Sequence, residues 1–464
     1  MKRSVGRRQL RCRDVASLAA VLTVGSLAAP ASVVAQRSVL PDTLDITRAI
    51  GIAISESPQL RASRTQADRA GADRLAAWGA FLPTASVRAS LDRSSFSRTT
   101  FVGEEGLSET LPDVLSSSSQ NGSQGLTLNW TVLDGGQRFA AVSQSAANLR
   151  AANRRYDDQQ RQVVLTVRRE FLDALRRQEL LELTRLQIVD RERELDIARR
   201  RYEIAAVERT DVLGAQSLLL DARIRLLSEE NQLRNALRQL VVSMGLPPEA
   251  SQSLVLAGDE GMPEGMPNLD HLVRTAITSD PELAALEADR AAASSALWSA
   301  RMSYLPRIDA TLFWGRGENF GPGDSFWQFD LGDTRQTFSV SASWSLFNGF
   351  GREQQNAQAS AARRQAEEDL RRRRLEIERD VRRYGADIGE LAQTLDLLDQ
   401  AYSISRERLD MEQERYRLGT GSFLELQSAV DAVQRAETSL IQRRYEYLTA
   451  WSNLAEYLDS GPGN

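Results

Sequence analysis

One cysteine, Cys12, and one histidine, His271, are all that this 464-residue chain holds of two side chains central to nucleophilic, acid–base and metal chemistry. A thiol nucleophile, a histidine-based triad and a clustered metal centre are excluded, so no enzyme and no cofactor is expected. Lysine is nearly absent as well: Lys2 stands alone among 58 basic residues, and the other 57 are arginine. GC-rich coding accounts for this bias better than phosphate or nucleic-acid binding does, and the overall charge of −5 agrees. Long apolar runs are missing too. Hydrophobic residues make up 42% and charged residues 26%, mean hydropathy is −0.38, and beyond the N-terminus nothing approaches the ~18 apolar residues of a spanning helix. A polytopic helical membrane protein is excluded.

What is present begins with a targeting pattern. Residues 1–35 join a basic start (Lys2, Arg3, Arg7, Arg8, Arg11, Arg13) to an apolar run from Val15 to Ala29, with small residues Val33 and Ala35 placed for cleavage before Gln36. This predicts a secretory signal peptide. Its removal takes six basic residues, Asp14 and Cys12, leaving 52 basic against 62 acidic groups, a net charge of −10. The mature chain would then have no thiol and no N-terminal cysteine to carry a lipid.

The rest of the chain is written twice. Ser57-Pro58-Gln59-Leu60 aligns with Asp280-Pro281-Glu282-Leu283, and Phe81-Leu82-Pro83 with Tyr304-Leu305-Pro306, at one offset of 223. Further on the offset is 214, pairing Leu133-Asp134-Gly135 with Phe347-Asn348-Gly349 and Arg201-Tyr202 with Arg415-Tyr416. A repeat of more than 200 residues is a duplicated domain rather than a short solenoid unit. The expected division is a first repeat over 36–244, a Pro/Gly-rich linker over 245–268, a second repeat over 269–458 and a tail over 459–464.

Each repeat opens with helices (43–81 and 269–304) interrupted by a Ser-Pro or Asp-Pro start signal. Period two follows. Ala85, Val87, Ala89 and Leu91 alternate with Ser86, Arg88, Ser90 and Asp92; Phe338, Val340, Ala342, Trp344 and Leu346 alternate with Thr337, Ser339, Ser341, Ser343 and Ser345. Strands are expected at 84–93, 124–133, 307–315 and 336–346. A soluble sandwich would show the same alternation, but a face of serine and threonine makes a poor core and a good wall for water. Strands of about 10 residues with one apolar face fit a transmembrane β-barrel. Four strands cannot close one alone, and an open edge in lipid costs several kcal/mol per unpaired group. The barrel must be shared, and eight strands from two chains or twelve from three are both physically allowed.

After each strand pair a proline-free stretch predicts a long helix, 136–201 and 350–415, of roughly 100 Å at 1.5 Å per residue. In the second, Val381, Ile388, Leu395, Tyr402, Leu409 and Tyr416 recur every seven residues beside Leu370, Ile377, Tyr384, Leu391 and Leu398, a coiled-coil seam. The first helix keeps one series but has Glu170, Arg177 and Thr184 in the other, which implies a different packing partner. Shorter return helices are expected at 211–243 and 424–457.

This order of helices, [FY]-L-P sites, paired strands and long helices, ending in the turn Arg415-Tyr416-Arg417-Leu418-Gly419-Thr420-Gly421-Ser422-Phe423-Leu424-Glu425-Leu426, resembles the TolC-like outer membrane efflux protein family across the whole mature chain. The resemblance implies a mainly α fold with a small β part, in which long antiparallel coiled-coil helices form a 12-helix periplasmic tunnel. Three copies would share a 12-stranded outer-membrane barrel. It implies a homotrimer in the outer membrane, in contact with its lipid. The trimer would act as the passive exit duct of a tripartite efflux or type I secretion system. Its partners would be a periplasmic adaptor (membrane fusion) protein and an inner-membrane pump of RND, ABC or MFS type, with no nucleic acid. A non-transporting coiled-coil tether is the alternative.

Candidate positions follow. Asp211 and Glu425, just past the two turns, would give rings of carboxylates at the tunnel mouth, or simply cap their return helices. The resemblance implies that Arg201, Tyr202, Arg415 and Tyr416 link helices that hold the entrance closed. It makes Gly419, Thr420, Gly421 and Ser422 the adaptor-contacting tip. The first turn, Tyr202 to Thr210, lacks that glycine pattern. Trp130, Trp314 and Trp344 are candidates for anchoring at the membrane interface. The segments 94–123 and 316–335 are expected as external loops, the second carrying Phe326 and Trp327 toward the outer opening.

Overall fold

A computed structural model describes residues 43–102, 108–204, 207–252, 254–258, 261–263, 265, 268–320, 334–455 and 457. The expected signal peptide, the C-terminal tail, Phe326 and Trp327 lie outside the described residues.

Repeat one opens with strand β1 (Thr43–Leu44), then α1 (Ile46–Glu56) and α2 (Pro58–Gly79). Strands β2 (Thr84–Val102) and β3 (Ser108–Leu133), long helix α3 (Gln137–Glu203) and return helix α4 (Arg209–Ser243) complete it. The linker holds a short 3-10 turn and β4 (Val255–Leu256). Repeat two runs α5 (Leu269–Ser279), α6 (Pro281–Met302), β5 (Arg307–Phe320), β6 (Thr334–Ser343), α7 (Gly351–Leu418) and α8 (Phe423–Ala455). The mainly helical, twofold-repeated architecture is the one its sequence pattern implies.

The start signals act as expected. Ser57 Oγ accepts from the Leu60 amide and Asp280 Oδ1 from the Leu283 amide at 2.7 Å, each with proline at the next position, so α2 and α6 begin as new helices. Thr43 and Leu44, expected as helix, are instead extended: they pair in parallel with Val255 and Leu256. Gln178, midway along α3, bonds both backbone groups of Leu256 and fixes this small ribbon against the long helix.

Strands β2, β3, β5 and β6 form one antiparallel sheet in that order. The first hairpin is longer than the sequence pattern implies. Beyond the last β3–β5 pair, Gln120 with Phe320, β2 and β3 continue together as a two-stranded ribbon through much of the expected 94–123 loop. A hydroxyl pair, Ser94–Ser119, ties the ribbon across, and a second, Ser90–Ser123, lies just before it where β5 still pairs, each 2.8 Å apart. Serine-rich sequence reads as loop, yet cross-strand hydroxyl contacts stabilise a ribbon. Conversely β6 stops at Ser343, short of the expected 346, because Ser343 pairs with Arg307, the first residue of its only partner strand among the described residues, β5, which follows Pro306.

The helices lie side by side. Toward the sheet the neighbours run α2, α3, α6, α7, and toward the far end α4, α3, α8, α7. Helix α3 is therefore flanked on both sides, whereas α7 has a neighbour on one. This is why the two long helices carry different apolar patterns. The α7 seam (Leu370, Ile377, Val381, Ile388, Leu395) packs with Leu272, Leu283, Tyr447 and Leu454. On α3, Thr184 is buried with its hydroxyl bonded to the Leu180 carbonyl.

Candidate functional site

Two regions gather the candidate residues: the far ends of the helices and the wall of the sheet. At the helix ends, α7 closes on Gly419, whose φ of 82° is left-handed. The amides of Thr420 and Gly421 return to the Arg415 carbonyl at 3.0 and 3.1 Å. Glycine suits this cap because an L side chain there is strained. A Cβ on Gly421 would sit 3.1 Å from the Arg415 Cβ, so the second glycine lets the chain fold back tightly.

Ser422 and Glu425 then bond reciprocally, Ser422 amide to Glu425 Oε2 at 3.0 Å and Glu425 amide to Ser422 Oγ at 3.2 Å. This capping box starts α8. The bonds from Ser422 hold the Glu425 carboxyl below the usual carboxylate range even though it is fully exposed. Glu425 therefore caps its helix and presents a charge to solvent at once.

The duplicated Arg-Tyr pairs differ. Tyr416 is buried and Tyr202 is exposed. Arg201 lies over the Tyr416 ring at 4.4 Å from its centroid and donates to the Tyr416 carbonyl at 2.6 Å. Arg415 instead turns outward to Glu412 at 3.0 Å. Burial pushes the Tyr416 phenol above its ordinary value; the charge of Arg201 pulls it back, and Asp211 and Glu194 push it further up. Its hydroxyl has no hydrogen-bond partner among the described residues. Of the six gate candidates, the structure brings together Arg201, Tyr416 and Asp211, and leaves Tyr202, Arg415 and Glu425 facing outward.

Phe423 is a residue the sequence pattern did not single out. It packs both on the Leu409–Tyr416–Leu426 cluster of repeat two and on the Leu195–Ala198–Ala215 cluster of repeat one. Gly214 makes room for it, since a Cβ there would lie 3.3 Å from the ring. A second inter-repeat tie is Arg191, 5% exposed in its side chain, which bonds Asp431 at 2.8 Å and Glu194 at 3.0 Å.

On the sheet, registry aligns one polar face across all four strands. Thr84, Asn129, Thr311 and Ser339 share a row, as do Ser86, Thr127, Phe313 and Thr337. The other face is apolar, with Val87, Leu128, Leu312 and Val340 partly or largely exposed. Trp130 and Trp344 both lie where strands meet helices, each indole N–H donating at 3.0 Å to the carbonyl of the matching [FY]-L-P residue, Phe81 or Tyr304. Trp314, 48% exposed, sits four residues along β5 from Ala310, the partner of Trp130, roughly 14 Å away at about 3.4 Å per residue. The apolar face thus has tryptophans at both ends. Arg138 and Arg352 repeat one device at the strand–helix junctions: each lies over the aromatic ring of Phe81 or Tyr304 and donates to a backbone carbonyl at a strand end, Val132 near the end of β3 or Ser345 just past β6.

Among the described residues no group of His, Cys, Asp and Glu is placed to hold a metal ion, and no helix is long and apolar enough to cross a membrane.

The family model described as Outer membrane efflux protein matches residues 49–246 and 272–460. Protein CyaE of Bordetella pertussis is 28% identical over 333 residues, which cover 70% of this chain and 65% of that protein. The chain therefore spans slightly less than two thirds of the length of this relative. Outer membrane protein TolC of Vibrio cholerae is 24% identical over 67% of this chain and 71% of its own. Among solved structures, the Campylobacter jejuni CmeC outer membrane channel superposes with a TM-score of 0.77 at 14% identity, covering 90% of this chain and 86% of that one. The outer membrane protein VceC of Vibrio cholerae superposes at 0.72 with 17% identity, over 89% and 95%.

Proposed function

Because this chain belongs to the outer membrane efflux protein family, we propose that three copies form a passive exit duct across the outer membrane, the outlet of a tripartite efflux or type I secretion system. One observation carries this reading. Among the described residues the four-stranded sheet is open, with β2 and β6 each lacking a neighbour on one side, and near the helices its two faces are sorted: Ala85, Leu128, Leu312 and Phe338 share an apolar row, and Thr84, Asn129, Thr311 and Ser339 a polar one. In lipid the open edges must be paired. Closing the sheet with further copies puts the apolar face toward lipid and the polar face around water. A coiled-coil tether that conducts nothing has no use for that polar wall.

The helices support the same closure. The two outer helices of the far layer each expose an apolar stripe: Leu213, Leu220, Ile224 and Leu227 on α4, and Leu397, Ile404, Met411 and Leu418, seven residues apart, on α7. These stripes fit a head-to-tail contact in which α4 of one copy meets α7 of the next, the heterologous arrangement that closes into a ring. In the ring, Glu425 and Asp211 stand at the mouth, Arg201 and Tyr416 hold it narrow, and Gly419 to Ser422 present the turn to a periplasmic adaptor, which connects to an inner-membrane pump.

The test is twofold. The purified chain should behave as a trimer by light scattering in detergent, and Ile404→Asp together with Leu220→Asp should reduce that mass. In a planar bilayer the trimer should open ion-conducting channels; a monomer, or a trimer that never conducts, overturns the reading.

A further inference from the structure

Within the four-stranded part of the sheet, the polar face carries one apolar side chain longer than a glycine among the described residues: Phe313. Its position is built rather than tolerated. Gly125 and Gly315 face each other directly across β3 and β5, one row beyond it. A Cβ on Gly125 would lie 2.6 Å from Phe313 Cε2, and one on Gly315 would lie 2.5 Å from Cζ. Two glycines inside neighbouring strands weaken a sheet unless something approaches closely, and here the ring lies down over both. One face of the ring rests on bare backbone; the other is left toward the space the polar wall encloses.

The row of the two glycines continues to arginine on either side. Registry runs Arg88, Gly125, Gly315, Arg335, so two guanidinium groups flank the aromatic surface across three strand steps, roughly 14 Å at about 4.8 Å per step. Neither arginine makes an ion pair among the described residues. Lower on the same face Arg307 is neutralised by Asp309 at 2.8 Å. Asp92 lies two rows away from Arg88 on β2. In a chain that is net acidic, this row is cationic.

We propose that Phe313, with Arg88 and Arg335, forms a belt in the barrel wall that binds planar aromatic anions in passage. The ring offers a stacking surface that needs no rearrangement, and the flanking guanidinium groups supply charge to a ligand held against it. Three copies would repeat the belt three times around one water-filled lumen. The proposal rests on the exit-duct reading, since it needs the polar face to surround the path.

Planar-bilayer recording on the purified full chain tests it, with naphthalene-1-sulfonate, cyclohexanesulfonate and 1-naphthylmethylammonium as probes at equal ionic strength. Naphthalene-1-sulfonate should reduce the single-channel current at a concentration about fivefold or more below that of cyclohexanesulfonate, the scale of one aromatic stack, and below that of the cationic probe. Phe313→Leu should bring the two sulfonates together, whereas Phe313→Tyr, which keeps the ring, should retain the gap. Arg88→Gln with Arg335→Gln should weaken the block by both sulfonates and shift the reversal potential toward cations. Channels blocked equally by the two sulfonates, or a gap that survives Phe313→Leu, overturn the belt and leave the exit duct standing. A chain that opens no channel overturns the exit duct, and the belt with it.

Discussion

Arg201, at the end of the long helix of repeat one, stacks on the ring of Tyr416 at 4.4 Å and donates to the carbonyl of that same tyrosine at 2.6 Å, at the matching end of repeat two. One guanidinium thus binds both the side chain and the backbone of its partner. The partner in turn lies buried against Leu409, Leu426 and Phe423. The contact ties the two repeats at the point where the helices end. In a ring of copies, that is the point where the path is narrowest if the helices converge.

Removing the cation should therefore open the mouth. Arg201→Ala gives up a cation–π contact and a charged hydrogen bond, together about 2–5 kcal/mol, and single-channel conductance should rise. Tyr416→Phe should keep the closed level and near-normal stability, because the Tyr416 hydroxyl has no hydrogen-bond partner to lose. Equal conductance in Arg201→Ala and the parent would remove this pair from the gate.

Glu425 should set ion preference over an extended pH range. Its carboxyl is held below the ordinary carboxylate value by bonds from Ser422, so it stays charged as pH falls through the range where ordinary glutamates protonate, and loses charge only lower. Cation preference of the open channel should follow, persisting on acidification. Glu425→Gln should reduce it at every pH above that point, and an unaltered reversal potential would take Glu425 out of the path.

Asp280 is the most enclosed charge of the helical layer. Its side chain is fully buried, caps α6, and accepts from Arg161 and from Arg373 at 2.9 Å each. Burial opposes its charge, but the bond from Arg373 and the charges of Arg161 and Arg373 win and hold its carboxyl below the usual range. Asp280→Ser reproduces the residue that repeat one uses at Ser57 and keeps a cap, yet removes one carboxylate shared by two arginines, leaving Arg161 to Asp158 at 2.7 Å and Arg373 to Glu282 at 3.0 Å, which should cost about 1.5–3 kcal/mol. Since the folded value is depressed, the stabilisation is complete above the unfolded carboxylate value near 3.9 and is lost as pH falls through the folded one. Unfolding midpoints of the parent and Asp280→Ser should differ most at neutral pH and converge in acid; a difference independent of pH would refute the charge argument.

Gly419 should tolerate no side chain cheaply. At φ of 82° an alanine is strained by about 1–2 kcal/mol, and the turn that presents Thr420 and Ser422 should loosen. Gly419→Ala should lower the melting temperature slightly and weaken capture of the periplasmic adaptor in pull-down far more than Gly51→Ala, which has open space around it. Equal capture by both variants would place the adaptor contact elsewhere.

Much of this was legible in the chain itself. The period-two alternation of Phe338 to Ser345 marks a two-faced strand because successive side chains point to opposite sides. The prolines at 58, 83, 281 and 306 punctuate helices because they lack the donor a helix interior requires. The ribbon in which residues 94–102 pair with residues 108–119 was not legible, since serine reads as loop locally and only the facing strand supplies its hydroxyl partners. Neither was the choice between the duplicated Arg-Tyr pairs. Arg201-Tyr202 and Arg415-Tyr416 are identical as dipeptides, and which arginine meets which tyrosine depends on α3 lying beside α8.

The sequence by itself determined the duplicated unit, its Ser-Pro and Asp-Pro helix starts, its strand faces and the scarcity of cysteine and histidine, because each is read from residue identities along the chain. Only the tertiary structure decided that Tyr416 is buried and Tyr202 is not, that Phe423 needs Gly214, and that Phe313 rests on Gly125 and Gly315. Those outcomes follow from where helices and strands far apart in the chain come to lie together, and local periodicity carries no information about that distance.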